Sequence, residues 1–112
     1  KKKSDFLNTS IPKIVFDKKK FLLYMSRSPI PGSKKKNFRK AFRQVCIYSY
    51  PRYMLHTFYK RKSKLLLENI EDLELLGFLE NQIKVKMIKM SNKSISVDHP
   101  SDVKKIEKII KK

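Results

Sequence analysis

Short apolar runs separated by polar residues mark the first third of the chain. Two β-prone runs, Ile14–Asp17 and Phe21–Ser26, are separated by Lys18–Lys20, which predicts a hairpin with a lysine-rich turn. The stretch Ser28–Ser33 contains two prolines and Gly32, so it should end the hairpin, because proline cannot donate to a ladder. A hairpin is marginal alone, and we expect a further sheet or helix against it.

The middle of the chain changes from a period of two to a helical period. Gln44–Tyr50 is β-branched and aromatic with almost no charge, which predicts a central strand. Pro51 then opens a short helix with Met54, Leu55 and Phe58 on one face. The longest predicted helix is Leu66–Glu80, and four acids gather in its first half, which suits the positive end of a helix dipole. The apolar stripe of this helix is Leu66, Leu67, Ile70, Leu73, Leu76 and Leu79.

The last third of the chain returns to strands and closes on a helix. Ile83–Met87 and Ser94–Asp98 both alternate apolar with polar residues, which predicts two strands. Pro100 suits a first helical turn, where its missing N–H costs nothing. The apolar residues after it recur at helical spacing, as Val103, Ile106, Ile109 and Ile110. The order of elements predicts an α/β domain with a mixed sheet, because a crossover through helices brings successive strands parallel.

The length of 112 residues suits one domain or part of one. The first methionine is Met25, so we interpret the chain as a single partial domain with residues 1–10 as a basic leader. No run approaches the roughly 18 apolar residues of a membrane span, and no signal peptide is recognisable. The single Cys46 cannot form an intrachain disulfide, and we expect a buried structural thiol in a reducing cytoplasm.

The net charge of +18 arises from 28 Lys and Arg residues against 10 Asp and Glu residues. Such a charge is typical of phosphate-backbone binding through counterion release, so a small basic α/β nucleic-acid-binding module is an alternative function. A biased composition is the favoured account of the charge, because the basic runs fall at termini and turns. A third interpretation places residues 103–112 as a basic amphipathic helix on an anionic membrane, although docking on its own sheet is the ordinary use of such a stripe. The basic runs are Lys1–Lys3, Lys18–Lys20, Lys34–Lys36 and Lys111–Lys112.

Absent motifs narrow the chemistry that the chain can perform. Its two glycines do not form a glycine-rich phosphate loop. One cysteine with His56 and His99 at unrelated spacing excludes a zinc cluster, which leaves carboxylates as metal ligands. Asp98 lies where a predicted strand meets a helix, and a carboxylate there suits Mg²⁺ beside a phosphate group. Alternatively, Asp98 and Asp102 only favour the positive end of the helix dipole.

Four sequence strings occur in an order that resembles a known family. They are Leu23–Pro31 (LYMSRSPIP), Gln44–Tyr50 (QVCIYSY), Leu67–Glu74 (LENIEDLE) and Ser96–Val103 (SVDHPSDV). Together they are similar to the carboxyl-terminal half of 3-deoxy-manno-octulosonate cytidylyltransferase, the CMP-Kdo synthetase, from about Ile11 to the end. The resemblance implies a partial nucleotidyltransferase-like α/β fold. It also implies a part in transferring CMP from CTP to a 3-deoxy-ulosonic acid such as Kdo, with release of pyrophosphate, for surface-sugar biosynthesis.

The resemblance implies roles for individual residues. Arg27, in the Ser-Arg-x-x-Ile-Pro string, matches an arginine that meets the sugar acid, and its planar fork suits a carboxylate. Tyr48 and Glu74 match residues that contact sugar hydroxyls. Gln44 stands where the family often has a sugar-contacting histidine, and it can hydrogen-bond but cannot titrate. Asp98 matches the magnesium-binding aspartate of the family's Val-Asp-Thr-Pro string, which implies Mg²⁺ as the cofactor.

The chain departs from the family at several points. Leu75 stands where the family often has a glutamine, which removes a polar contact to the sugar, and the connection from Pro31 to Gln44 is shorter. The family's amino-terminal half, with its phosphate-binding loop, cytidine pocket and second magnesium-binding aspartate, has no counterpart here. We therefore expect that the chain is inactive alone, and that it forms a homodimer or pairs with the missing half.

Overall fold

The computed structural model describes residues 3–35, 40–91, 97 and 100–110. The elements are α1 (Lys3–Leu7), β1 (Lys13–Phe16), β2 (Leu22–Ser26), β3 (Phe42–Arg43), α2 (Arg52–Tyr59), α3 (Leu66–Glu71), α4 (Glu74–Glu80) and α5 (Pro100–Ile110). The α/β class is confirmed, as are the hairpin, the helix after Pro51 and the final helix. The short helix α1 was not predicted.

The sheet is built on the β1–β2 hairpin. Its strand order is β2-β1-β3, and both pairings are antiparallel. The parallel pairing expected from a crossover is therefore not seen among the described strands. A bulge lets Val15 face Tyr24 while Phe16 faces Leu22, so Leu23 is the extra residue that bends this edge of the sheet.

Residues 83–87 were predicted to be a strand, and they form one isolated bridge, between Phe21 and Lys86. On either side of it, the Leu22 N–H donates to the Val85 carbonyl and the Met87 N–H donates to the Lys20 carbonyl, both at 2.8 Å. The segment therefore runs along the outer edge of β2. It blocks part of an edge that would otherwise offer free backbone groups.

The core lies between the hairpin and α4. Helix α4 packs on β2 and on α3, and its Phe78 ring stacks on Phe58 of α2, with centroids 5.0 Å apart. The buried apolar residues are Ile14, Leu22, Met25, Leu73, Leu75, Leu76 and Phe78. Four of these seven residues come from positions 73–78, so α4 and the residue before it supply most of the core.

The predicted central strand Gln44–Tyr50 is wrong. The strand in this region is β3, which is two residues long and ends at Arg43. The Ile47 N–H donates to the Val45 carbonyl at 2.8 Å, an i to i+2 bond that makes a γ-turn and reverses the chain. Ile47 is 68% exposed and Cys46 is exposed, so the buried thiol is also wrong. β-propensity measures fit to a pleated, half-buried surface, and this segment does not lie on one.

The prediction of a single helix over Leu66–Glu80 is also wrong, because the helix is interrupted at Asp72. Asp72 takes the left-handed conformation, with φ 50° and ψ 51°, which aspartate tolerates better than most residues. The break rotates the second helix relative to the first. Leu66 and Ile70 of the predicted apolar stripe are consequently exposed, whereas Glu68 is buried.

Helix α5 begins at Pro100, as predicted. The predicted strand Ser94–Asp98 lies outside the described residues except for Val97, which is exposed. Ile109 and Ile110 of the apolar stripe are exposed, so the described contacts do not show α5 docked on the sheet. No helix among the described residues combines the length and apolar character that a membrane crossing requires.

Candidate functional site

Arg27 directly follows β2 and ties that strand to the junction between α3 and α4. Its backbone N–H donates to Glu71 Oε2 at 2.9 Å, and its Nε donates to the Glu71 carbonyl at 2.7 Å. Its Nη2 donates to the Asp72 carbonyl at 3.2 Å, and Nη1 donates to the Thr9 carbonyl at 3.3 Å. A guanidinium carries five N–H donors, so each terminal nitrogen keeps one N–H for a further acceptor. The side chain is 37% exposed, which leaves that face accessible.

Glu71 is the central acceptor of a polar cluster beneath Arg27. Its Oε1 accepts the Ser26 hydroxyl at 2.5 Å. Burial raises the pKa of the Tyr24 phenol, and the charge and hydrogen bond of Glu71 add to this. Lys13 is 2% exposed, and its Nζ donates to two backbone carbonyls, one of them that of Arg27. Burial lowers the pKa of Lys13, while the charge of Glu71 opposes that shift. The cluster thereby fixes the backbone position of Arg27.

The irregular loop after β3 places two phenols beside an amide. Gln44 Nε2 donates to the phenol oxygen of Tyr48, while Gln44 Oε1 is buried and has no partner among the described residues. The Tyr48 and Tyr50 rings lie 6.0 Å apart. Burial is the main cause that raises the pKa of Tyr48, and the neighbouring Cys46 thiol adds to it. Both phenols therefore stay protonated at neutral pH and can donate hydrogen bonds.

Glu74 is the charged residue next to these phenols. It is the first residue of α4 and is exposed. After burial, its charge is the next cause that raises the pKa of Tyr50, and it also raises that of Tyr48. Tyr50 stacks on Phe78 of the same helix, with centroids 5.4 Å apart. This stacking holds the loop against the start of α4.

The structure brings three of the predicted site residues into one neighbourhood. Gln44 and Tyr48 are joined by a hydrogen bond, and Glu74 lies near enough for its charge to raise the pKa of Tyr48 and Tyr50. Arg27 is bonded to Asp72, two residues before Glu74 in the chain, and it supports the junction from which α4 begins. Asp98 lies outside the described residues, so its role as a metal ligand stays a prediction. The substrate-binding roles of the other residues also stay predictions.

The sequence reasoning missed a buried ion pair beside α4. Arg61 Nη1 and Nη2 donate to Glu68 Oε2 at 2.5 Å and Oε1 at 2.9 Å, and the guanidinium carbon lies 3.6 Å from the centroid of the Phe58 ring. Glu68 is 1% exposed, and its hydrogen bond to Arg61 lowers its pKa. The sequence feature that could have indicated this ion pair is Gly77, because a glycine inside a helical pattern often marks a place where other side chains pack closely against the helix. A Cβ built at Gly77 would meet this pair at 2.5 Å.

A cavity of about 160 Å³ lies between α2 and α4. Arg61 is the charged residue on its wall, and Glu68 already neutralises that guanidinium, so the cavity offers an apolar surface rather than an anion site.

Among the described residues, no group of three or more His, Cys, Asp or Glu could hold a metal ion. Of the acids nearest Arg27, Glu71 accepts from Ser26 and from the Arg27 N–H, and Asp72 pairs with Lys64 and, at 3.9 Å, with Arg27 Nη2.

Known proteins resemble the chain in both sequence and structure. No family model matches it. The 3-deoxy-manno-octulosonate cytidylyltransferase of Thermodesulfovibrio yellowstonii is 39% identical over 117 residues, which cover 97% of this chain and 45% of that protein. The protein of the same name from Desulfosudis oleivorans is 39% identical over 106 residues, covering 94% and 42%.

A solved structure shows the same relation at the level of the fold. The structure of CMP:2-keto-3-deoxy-manno-octonic acid synthetase complexed with CTP matches with a TM-score of 0.84 and 26% identity. The match covers 96% of this chain and 44% of that one. The chain thus spans a little under half the length of the relatives that it matches.

Proposed function

We propose that this chain, which is similar in sequence and fold to part of the 3-deoxy-manno-octulosonate cytidylyltransferases, supplies the sugar-acid side of such an enzyme. The complete enzyme would transfer CMP from CTP to a 3-deoxy-ulosonic acid such as Kdo and release pyrophosphate. Its product would serve the synthesis of lipopolysaccharide or another surface sugar.

The observation that carries this proposal is the fold match at a TM-score of 0.84, in a chain where Tyr48 accepts a hydrogen bond from Gln44 and the charge of Glu74 acts on Tyr48. The carboxylate of Glu74 would accept hydrogen bonds from two sugar hydroxyls. The phenol of Tyr48 would donate to an oxygen of the sugar, since its raised pKa keeps it protonated.

Arg27 would meet the carboxylate of the sugar acid. A remaining N–H of the guanidinium would donate to that carboxylate in a charge-assisted hydrogen bond, in competition with Asp72, whose Oδ2 lies 3.9 Å from Nη2. The bonds of Arg27 to Glu71 and Asp72 hold the guanidinium in place, so little side-chain entropy is lost when the ligand binds.

The CMP-transfer reaction also needs residues from the portion of the relatives that this chain does not match. The anomeric hydroxyl of the sugar would attack the α-phosphorus of CTP and displace pyrophosphate, in line with phosphoryl-transfer geometry. Asp98 would hold Mg²⁺, and the chemistry supplied there would be neutralisation of charge at the transferred phosphate. The nucleotide would be bound by the portion of the relatives that this chain lacks. We therefore expect no turnover by the chain alone.

The proposal includes a setting and a partner. We propose that the enzyme acts in the cytoplasm, where CTP is made available. We also propose that the chain works as a homodimer or together with the missing portion. The exposed apolar residues Leu66 and Ile70 are candidates for burial by that partner.

Binding of 3-deoxy-manno-octulosonate to the 112-residue chain, measured by isothermal titration calorimetry, tests the proposal. Losing hydrogen bonds to a charged group weakens binding by about 10- to 100-fold, so E74Q should bind the sugar acid correspondingly less tightly. E107Q is the matched control, because Glu107 is an exposed glutamate of α5, and its affinity should equal that of wild type. Equal affinity of E74Q and wild type would contradict the proposal, as would no binding by wild type.

A further inference from the structure

The tip of the hairpin and residues 83–87 bring together five lysines that are far apart in the sequence. We call Lys18, Lys19, Lys20, Lys84 and Lys86 the hairpin cluster. The bridge between Phe21 and Lys86 joins the two segments, and the Met87 N–H donates to the Lys20 carbonyl at 2.8 Å. The cluster is therefore a product of the fold and not of one lysine run.

The cluster holds its charges beside an aromatic ring. The Nζ of Lys86 lies 4.5 Å from the centroid of Phe21, and that of Lys84 lies 5.8 Å from it. Lys86 Nζ also donates to the Lys19 carbonyl at 2.5 Å. The neighbouring acid, Asp17, uses Oδ1 to accept the Phe21 N–H at 2.8 Å.

No ion pair between described residues involves the hairpin cluster. All five lysines are exposed, so their charges face solvent on one end of the sheet. A concentrated positive surface of this kind attracts a polyanion.

Exposed aliphatic residues flank the cluster in the sequence. Leu23, two residues after Phe21, is 60% exposed, and Ile88, two residues after Lys86, is 82% exposed. Exposure alternates along residues 84–88, which places Lys84, Lys86 and Ile88 outward. Phe21, the aromatic ring of the cluster, is half-buried and has Lys84 and Lys86 over it, so it is not an open face on which a base of single-stranded nucleic acid would stack. Exposed aliphatic side chains among lysines favour contact with lipid.

We propose that the hairpin cluster docks on the surface of an anionic phospholipid bilayer. The lysines meet the phosphate headgroups, and the aliphatic side chains of Leu23 and Ile88 enter the boundary with the acyl chains. The charge complementarity is between five unpaired lysines and a surface of fixed negative charge. Binding of this kind is reversible and weakens with salt. It is separate from the proposed sugar site, so either proposal can fail without the other.

Co-sedimentation of the 112-residue chain with lipid vesicles tests the proposal. We expect retention on phosphatidylcholine vesicles that contain about 30% phosphatidylglycerol at about 0.1 M salt, where the Debye length is about 10 Å, and none on pure phosphatidylcholine. Each lysine near such a surface contributes about fivefold in affinity, so K84Q/K86Q should bind about 25-fold more weakly. L23S/I88S should also bind at least about tenfold more weakly, because two aliphatic side chains no longer enter the lipid.

K60Q/K62Q is the charge-matched control, since it removes the same charge from exposed positions at the end of α2. Its affinity should stay within about threefold of wild type, because neither lysine belongs to the hairpin cluster. Circular dichroism spectra matching wild type would show that each variant is folded. An equal loss in K84Q/K86Q and K60Q/K62Q would overturn the proposal. Loss of vesicle binding in I109S/I110S alone would also overturn it, because the binding would then be assigned to α5. Binding to an oligonucleotide without binding to vesicles would overturn it as well.

Discussion

Replacing Gly77 by alanine tests how closely α4 packs against the buried ion pair. The added Cβ would lie 2.5 Å from Arg61 Nη1 and 2.5 Å from Glu68 Oε2. Both atoms are side-chain ends, but Glu68 is buried and both of its carboxylate oxygens accept from Arg61. Neither side chain can move away without weakening the pair. G77A must therefore displace α4 or open a buried ion pair.

The expected cost of G77A follows from three terms. Overpacking a closed core costs up to about 3 kcal/mol, and breaking a buried pair costs up to about 5 kcal/mol. Replacing glycine by alanine inside a helix stabilises the helix by about 1 kcal/mol, which offsets part of this loss. The net loss in the free energy of unfolding is thus about 2 kcal/mol if α4 shifts and about 4 kcal/mol if the pair opens. A domain of this length has about 6–17 kcal/mol in total, so the loss is readily measured.

Urea unfolding followed by far-ultraviolet circular dichroism measures this loss in the 112-residue chain. G32A is the matched control, because a Cβ built at Gly32 meets nothing within 4 Å and its backbone is not left-handed. Its free energy of unfolding should stay within about 0.5 kcal/mol of wild type. If G77A and G32A unfolded at the same urea concentration, the close packing of α4 on the ion pair would be refuted.

Further predictions concern a helix cap, acid stability, the metal ligand and the thiol. E80Q should lose about 1 kcal/mol of unfolding free energy, because Glu80 accepts two N–H groups at the start of α3; E107Q should lose none by the same urea assay. The pKa of Glu68 in the folded chain is below its ordinary value of 4.5, so its contribution to stability is complete above that pH and is lost as the pH falls through the folded pKa. Acid unfolding of E68Q should lack this component, and an unchanged acid profile would contradict it. In a chimera where this chain replaces the matched portion of the Thermodesulfovibrio yellowstonii relative, D98N should slow pyrophosphate release by at least about 100-fold; wild-type rates would remove the metal role. Cys46 is exposed, so it should react fully with a thiol reagent in the native state, and protection until denaturant is added would contradict the loop geometry.

The sequence predicted the elements whose local signals agree with their surroundings. The hairpin followed from two short apolar runs around a lysine-rich turn, and α5 followed from Pro100 and a stripe at helical spacing. Both depend mainly on local periodicity, which tertiary contacts did not override. The family resemblance also located Gln44, Tyr48 and Glu74, which the fold then brought near one another.

The failures have a common physical cause, which is that side chains distant in the sequence decided the local backbone. Asp72 ends α3 because its left-handed carbonyl can meet Arg27 and its carboxylate can meet Lys64. Tyr50 stacks on Phe78, which holds residues 44–50 as a loop against α4. Glu68 is buried because Arg61 forms an ion pair with it, in the space left by the missing side chain of Gly77. Arg27 and Phe78 are far in the sequence from Asp72 and Tyr50, and Arg61 and Lys64 precede the first residue of α3, so the periodicity of the helix could not reveal these partners.

Glu80 links two helix ends that would otherwise fray independently. It is the last residue of α4, yet its carboxylate accepts the N–H groups of Leu67 and Glu68 in the first turn of α3, both at 3.1 Å. Local opening at either end breaks the same two hydrogen bonds. The amide protons at the start of α3 should therefore exchange with deuterium at the same rate as those at the end of α4. The helix pair would then behave as one cooperative opening unit, and a sugar acid bound at the start of α4 would slow exchange at both ends.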